Sequence, residues 1–160
     1  MNSPATVLEQ TAIALVRGWF GKSQRWLVHQ RPETEWTLIE TDRLEQESFR
    51  EAISREIAWQ LNLRRDKDYI VSSVPRLHLE MPAESRKTCG GVELPTVDVI
   101  EFYLVELFGR AARDTLDRNP DIDWWEADQL LSTSQPTLCS KHRELLRFAD
   151  ILKEDQSHAC

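Results

Sequence analysis

Residues Glu47 to Leu63, ESFREAISREIAWQLNL, constrain the fold of this chain more than any other stretch. Ser48 stands where it can cap a first helical turn, and Glu51, three residues on, can reach back to it, which is the capping-box spacing. Phe49, Ala52, Ile53, Ile57 and Leu61 then recur at helical intervals and make one apolar stripe. Arg55 and Glu56 stand beside that stripe as a charged pair. The spacing predicts an amphipathic helix that must lay one face on a sheet or another helix, so an all-β fold is excluded.

The rest of the chain supplies the strands. Thr11 to Arg17 (TAIALVR) and Gln24 to Gln30 (QRWLVHQ) are separated by the turn Gly18 to Ser23 and predict a hairpin that Pro32 ends. A short extended piece, Trp36 to Ile39, leads to the helix, and Arg64 to Asp68 (RRDKD) is a charged connector. Asp68 to Met81 has strand character, and Pro82 to Pro95 has the composition of an exposed loop with Cys89-Gly90-Gly91 at its tip. Thr96 to Phe108 (TVDVIEFYLVELF) is the longest strand candidate. Val97, Val99, Glu101, Tyr103, Val105 and Leu107 share one face, while Asp98, Ile100, Phe102, Leu104, Glu106 and Phe108 share the other. Both faces are mainly apolar, which predicts a central strand covered on both sides. Asp114 to Asp123 is polar and ends in an acidic loop. Asp123 with Glu126 has a second capping-box spacing, predicting a short helix DWWEADQLL, and Leu138 to Lys153 predicts a terminal helix. Strands before, between and after helices predict an α/β (α+β) domain. Residues 1–10 are expected as a flexible lead-in, 11–153 as a single domain and 154–160 as a tail.

Composition narrows the function classes. The chain of 160 residues is 41% hydrophobic and 29% charged, as an ordinary globular domain is. A formal charge of −7 and a pI of about 5.1 argue against a broad surface for nucleic acid or anionic membrane. The 3 cysteines, Cys89, Cys139 and Cys160, lack metal-ligand spacing, and a reduced, cytoplasmic chain is the simplest reading. No secretory signal and no apolar run of the ~20 residues a membrane span needs is recognised.

The spacing Glu47, seven residues, Arg55-Glu56-Ile57 resembles the core of the Nudix box, G-x5-E-x7-R-E-U-x-E-E-x-G-U, where U is bulky aliphatic. Around it, HQRP at His29 to Pro32 resembles the basic segment before the family's substrate pocket. Trp36-Thr37-Leu38 resembles its W-x-L, and Asp123-Trp124-Trp125-Glu126 its acidic-Trp segment. The resemblance covers about residues 11–153 and implies a Nudix-like α/β/α sandwich around a mixed β-sheet. It breaks where the family's chemistry sits. Ile39-Glu40-Thr41 replaces Pro-Gly-Gly, so the first glycine of the box is Thr41 and a re-shaped loop is expected. Trp59 and Gln60 replace the paired glutamates, and Asn62 replaces the second glycine, which Asn can do because it tolerates a left-handed helix end.

The resemblance implies structural roles for Glu47 and Arg55, bridging loop and helix, and a base or metal-ligand position for Glu56. Mg²⁺ wants several anionic oxygens, which Trp59 and Gln60 do not offer. No metal or cofactor is therefore expected. The favoured function is a non-catalytic binding or interaction module for a nucleotide-like or phosphate-bearing ligand, or for a protein partner on the same surface. In it Arg31 meets negative charge, and Trp36 or Trp59 stacks on a base. Packing in the core or an interface is the more ordinary role for Trp59. The alternative is a Mg²⁺-dependent hydrolase of nucleoside diphosphate derivatives, in which Glu56 works with a recruited carboxylate such as Glu101, Glu40 or Glu45. Glu101 as a paired or rim carboxylate and His78 with Glu80 as a solvated strand face are the competing readings. Six tryptophans hint at an exposed aromatic surface and a homodimer.

Overall fold

The longest strand lies at the centre of the sheet. In the computed structural model, which describes residues 6–30, 35–87 and 93–152, β7 (Glu93–Leu107) pairs in parallel with β1 (Val7–Phe20), from Val7↔Thr96 to Arg17↔Glu106. The other strands are β2 (Ser23–Gln30), β3 (Trp36–Thr37), β4 (Ile39–Asp42), β5 (Tyr69–Val71), β6 (Leu77–Lys87) and β8 (Ile122–Trp125). They form one 8-stranded mixed sheet in the order β3-β2-β1-β7-β5, with β4 on β1, β6 on β7 and β8 on β2. Its helices are α1 (Phe49–Leu61), α2 (Gly109–Asp117), α3 (Ala127–Leu131) and α4 (Ser140–Ala149). None of them is long and apolar enough to cross a membrane.

Alternation along β7 divides the core as expected. Tyr103 and Val105 face a cluster with Ala12, Ala14 and Val16 of β1, under α1 and α2. Ile100 and Phe102 face the other cluster, with Ile13, Leu15 and residues of α3 and α4. The sheet is thus sandwiched between two helical layers. Ile53, Ile57 and Leu61 anchor α1 and are buried, contributing about 1.5–3 kcal/mol each by removal from water. Gly18 is required by close approach: a Cβ there would stand 2.7 Å from the Trp124 ring, which lies across it.

Several elements differ from expectation. The strand expected over 11–17 begins at Val7, inside the expected lead-in, because β7 offers a parallel partner that far. The expected loop over 82–95 is largely a hairpin. Pro82 pairs with Val97, and Lys87 with Glu93, across a register shift between Ala83 and Arg86; pairing with the long strand overrides turn composition, and Pro82 is tolerated because β6 pairs on one side only. Cys89-Gly90-Gly91 lies outside the described residues. Helix α2 was hidden in a polar stretch, where Ala112 and Leu116, one turn apart, are its only buried residues. The capping box over Asp123–Glu126 does not form. Asp123 to Trp125 belong to β8, which pairs with β2, and Trp125 is buried; the expected helix starts only at Ala127, with Glu126 at its N-cap and no side-chain capping bond. The Asp123 carboxylate instead accepts from Trp124 N and Trp125 Nε1, each at 2.9 Å. The terminal helix is shorter than expected and ends at Asp150 in the left-handed conformation.

Candidate functional site

Helix α1 starts as its sequence dictates. Ser48 Oγ accepts from Glu51 N at 3.0 Å, and Glu51 Oε1 accepts from Ser48 N at 3.2 Å. It stops at Asn62, whose φ of 54° is the left-handed end that replaces a glycine. Thr41 needs no such freedom. It is an extended residue of β4, paired with Ala12, so the strand runs on where the resemblance would place a tight turn.

Arg55, Glu56 and Gln60 are half-buried beside the apolar stripe of α1, while Trp59 stands exposed. Arg55 NH2 donates to Glu47 Oε1 at 2.8 Å and to Asp42 O at 3.2 Å, and its Nε donates to Glu47 Oε2 at 3.2 Å. This guanidinium ties the segment before α1 to the helix. It holds the Glu47 carboxyl below its ordinary range, chiefly by hydrogen bonding. Its NH1 donates to Glu56 Oε2 at 2.9 Å, while Gln60 Nε2 donates to Glu56 Oε1 at 2.7 Å. Both oxygens of Glu56 are therefore taken by protein donors.

The donor set does not fit a divalent cation. A hard cation needs several free anionic oxygens, and the Glu56 oxygens face a guanidinium and an amide N–H. Glu40 is bound to Lys141 at 2.7 Å and His142 at 3.1 Å, on α4. Glu101 is bound to His78 Nδ1 at 2.6 Å and to the Tyr103 hydroxyl at 2.7 Å. Glu45 is exposed in the turn before α1. Among the described residues no three His, Cys, Asp or Glu side chains are grouped to hold a metal ion. His78 and Glu80 share one side of β6, as the alternation predicts, and hydrogen bonds to Glu80 and Glu101 raise the His78 pKa.

The stacking candidates are not brought together. Trp59 is 81% exposed, so the core role is excluded: its position on α1 points away from the sheet. Trp36 is half-buried against Trp125, ring centroids 5.5 Å apart, and packs on the cluster beneath α3 and α4, across the sheet from α1. Arg31 lies outside the described residues. A cavity of about 550 Å³ opens beside Trp36, lined also by Gln30, Glu35, Thr137, Cys139 and Arg143.

Sequence reading missed a second polar centre at the start of α4. The His142 side chain is 2% exposed, accepts at Nδ1 from Leu38 N at 3.1 Å, and meets Glu40 at Nε2 at 3.1 Å. The neutral ring with its proton on Nε2 satisfies both partners. Burial disfavours the charged Glu40, yet hydrogen bonds from His142 and Lys141 outweigh it and bring its pKa to about 2. Cys139 caps α4 beside them. The only sequence signal was the Cys139-x-x-His142 spacing; the carboxylate comes from 102 positions away.

An antiparallel-parallel mixed sheet between an α1–α2 layer and an α3–α4 layer defines an α/β/α sandwich. Its likeness to solved structures is specific. The C. elegans Ap4A hydrolase superposes with a TM-score of 0.58 at 14% identity, over 91% of this chain and 94% of that one. Shewanella oneidensis NrtR gives 0.54 at 17% identity, over 88% of this chain and 60% of that one, and NrtR is also known in complex with a 27mer DNA. A MutT/nudix family protein from Enterococcus faecalis gives 0.51 at 16% identity, over 93% and 61%. The chain thus spans about three-fifths of the length of the latter two. No family model and no curated protein sequence matches it. The chain has the Nudix fold.

Proposed function

We propose that this domain is a Nudix-fold binding and interaction module that takes a nucleotide-like or phosphate-bearing ligand without hydrolysing it. The fold alone does not decide this, because related architectures are found in a hydrolase and in a protein solved with DNA. The observation that carries the reading is Glu56: the one carboxylate retained from the resemblance spends both oxygens on Arg55 and Gln60. The cavity beside Trp36, about 550 Å³, is of ligand-binding size and has an aromatic wall and a guanidinium from Arg143. Arg31, which follows Gln30 in the sequence, is the residue we assign to meet the ligand's negative charge. Trp59 is separated from this cavity by the sheet, so its part is contact with a protein partner or a second copy of the chain. An exposed tryptophan is a common anchor of such contacts.

Titration of the chain with a panel of nucleoside diphosphate-linked compounds, with and without Mg²⁺ or Mn²⁺, tests the proposal. Tryptophan fluorescence follows binding, and released phosphate follows turnover. Binding that ignores metal, without turnover, is expected. Metal-dependent turnover that disappears in Glu56→Gln would reinstate the hydrolase reading.

A further inference from the structure

The cavity beside Trp36 is chemically uneven. Half-buried Trp36 gives it an aromatic wall, while Glu35, Gln30, Gln135 and Arg143 give it a carboxylate, two amides and a guanidinium. Glu35 is exposed in the segment that enters β3, and among the described residues its carboxylate has no hydrogen bond or ion pair. Glu40, a few positions on, is by contrast held by Lys141 and His142. A carboxylate that fastened a strand or a helix would have a partner of its own. Arg143 donates from NH1 to Leu138 O at 3.2 Å, and its Nε is buried with no hydrogen-bond partner among the described residues. One wall therefore offers unspent acceptors beside a flat ring, and another offers an unspent donor with positive charge.

Building on the binding-module reading above, we propose that the ligand of this cavity is a guanine nucleotide, its base stacked on Trp36 and its Watson–Crick edge held by Glu35. Stacking on an indole favours no particular base, so the carboxylate decides. Guanine carries two adjacent donors on that edge, N1–H and the N2 amino group, which match the two oxygens of one carboxylate. Adenine sets the acceptor N1 beside its N6 amino group, and cytosine sets N3 beside its N4 amino group. Each would turn a lone pair towards Glu35 and leave one of its oxygens without a donor. Uracil has a single N–H between two carbonyls. The remaining acceptor on the guanine edge, O6, needs a donor, and the amides of Gln30 and Gln135 are in the cavity wall to supply one. Arg143 meets the phosphates, to which a guanidinium is suited. Base donors and phosphate charge thus have separate partners in the same cavity.

The test is isothermal titration calorimetry of the full chain, without metal, with the 5′-diphosphates of guanosine, inosine, adenosine, cytidine and uridine. The guanosine compound is expected to bind about 10-fold or more tighter than the adenosine one, the discrimination that a bidentate contact to a base edge gives. The inosine compound keeps N1–H, lacks the N2 amino group, and should fall between them. Because Glu35 is exposed, Glu35→Ala should stay folded, which circular dichroism checks, and should bring the guanosine-to-adenosine affinity ratio to about one. Equal affinity for all the diphosphates, tighter binding of any other base, or a guanine preference that survives in Glu35→Ala would overturn the inference and leave the binding-module reading standing. Binding of none of them would overturn both.

Discussion

Two ionic networks, one on each side of the same sheet, show how differently proteins use charge. On α1, Arg55 sits between Glu47 and Glu56, and Gln60 closes the remaining carboxylate oxygen. The Arg55 side chain is 30% exposed, and every group there has its partner within the network. At the start of α4, His142 is nearly sealed from water and depends on a backbone N–H and one carboxylate. The first network is a surface clasp in which each Glu56 oxygen accepts a hydrogen bond from the protein. The second is buried and faces a cavity. The difference teaches that the region resembling a catalytic signature is tied together by bonds between neighbours on one helix, whereas the buried polar group at α4 is built from segments far apart in the chain.

The contrast is open to breaking, first by stability. His142→Ala leaves Leu38 N buried without an acceptor and Glu40 without its donor, and should cost about 2–4 kcal/mol in urea denaturation. Arg55→Ala, at a screened and part-exposed site, should cost only about 1–2 kcal/mol. Arg55→Ala proving the more damaging would reverse the comparison. The next largest effect concerns metal. Trp59→Glu with Gln60→Glu would set carboxylates three and four residues beyond Glu56 on one helix face. That double variant should bind Mn²⁺, and in excess metal, at a hundredfold its dissociation constant, should gain about 2.7 kcal/mol. The unaltered chain should show no Mn²⁺-dependent shift in Tm; a shift there would mean that Gln60 and Arg55 yield the carboxylate.

Acid sharpens the comparison further. The folded-state pKa of Glu40 is depressed to about 2, so its contribution is fully present above its unfolded value near 4.5 and is lost as pH falls towards 2. Glu40→Gln should therefore be less stable than the parent at pH 7, by about 1–2 kcal/mol after allowance for solvent screening, and the gap should close by about pH 2. A gap that persists at pH 2 would mean packing, not charge, is the source. The smallest effect is expected at Trp59. Trp59→Ala should change stability by no more than about 0.5 kcal/mol, because the ring is exposed, while removing a solvent-exposed component from the fluorescence. A loss of more than about 1 kcal/mol would place the indole in an interface.

Much of the α1 side was legible along the chain because its determinants are local. The capping box of Ser48 and Glu51, the stripe of Ile53, Ile57 and Leu61, and the left-handed Asn62 all lie within one helix. The two-faced alternation of β7 was legible for the same reason. The hairpin over 77–107 was not, since Pro82 and neighbouring turn formers suggested a loop, and only the long partner strand kept them extended. Nor was α2, whose two buried residues make too faint a stripe to stand out from a polar run. The capping spacing of Asp123 and Glu126 predicts a helix DWWEADQLL, whereas burial of Trp125 and pairing with β2 hold its first residues in a strand and leave the helix to Ala127–Leu131.

By itself the sequence determined the helix that carries Arg55 and Glu56, the central strand, the class of fold, and the replacement of two carboxylates by Trp59 and Gln60. These follow from periodicity and residue chemistry, which act over a few positions. Only the tertiary structure decided that Gln60 turns its amide onto Glu56, that Trp59 stands in solvent, and that Trp36 lies across the sheet from it. It also decided that Glu40 reaches His142 beside Cys139. Each depends on side chains from distant segments meeting in a common space, and a linear chain does not encode that meeting until the sheet has set its register.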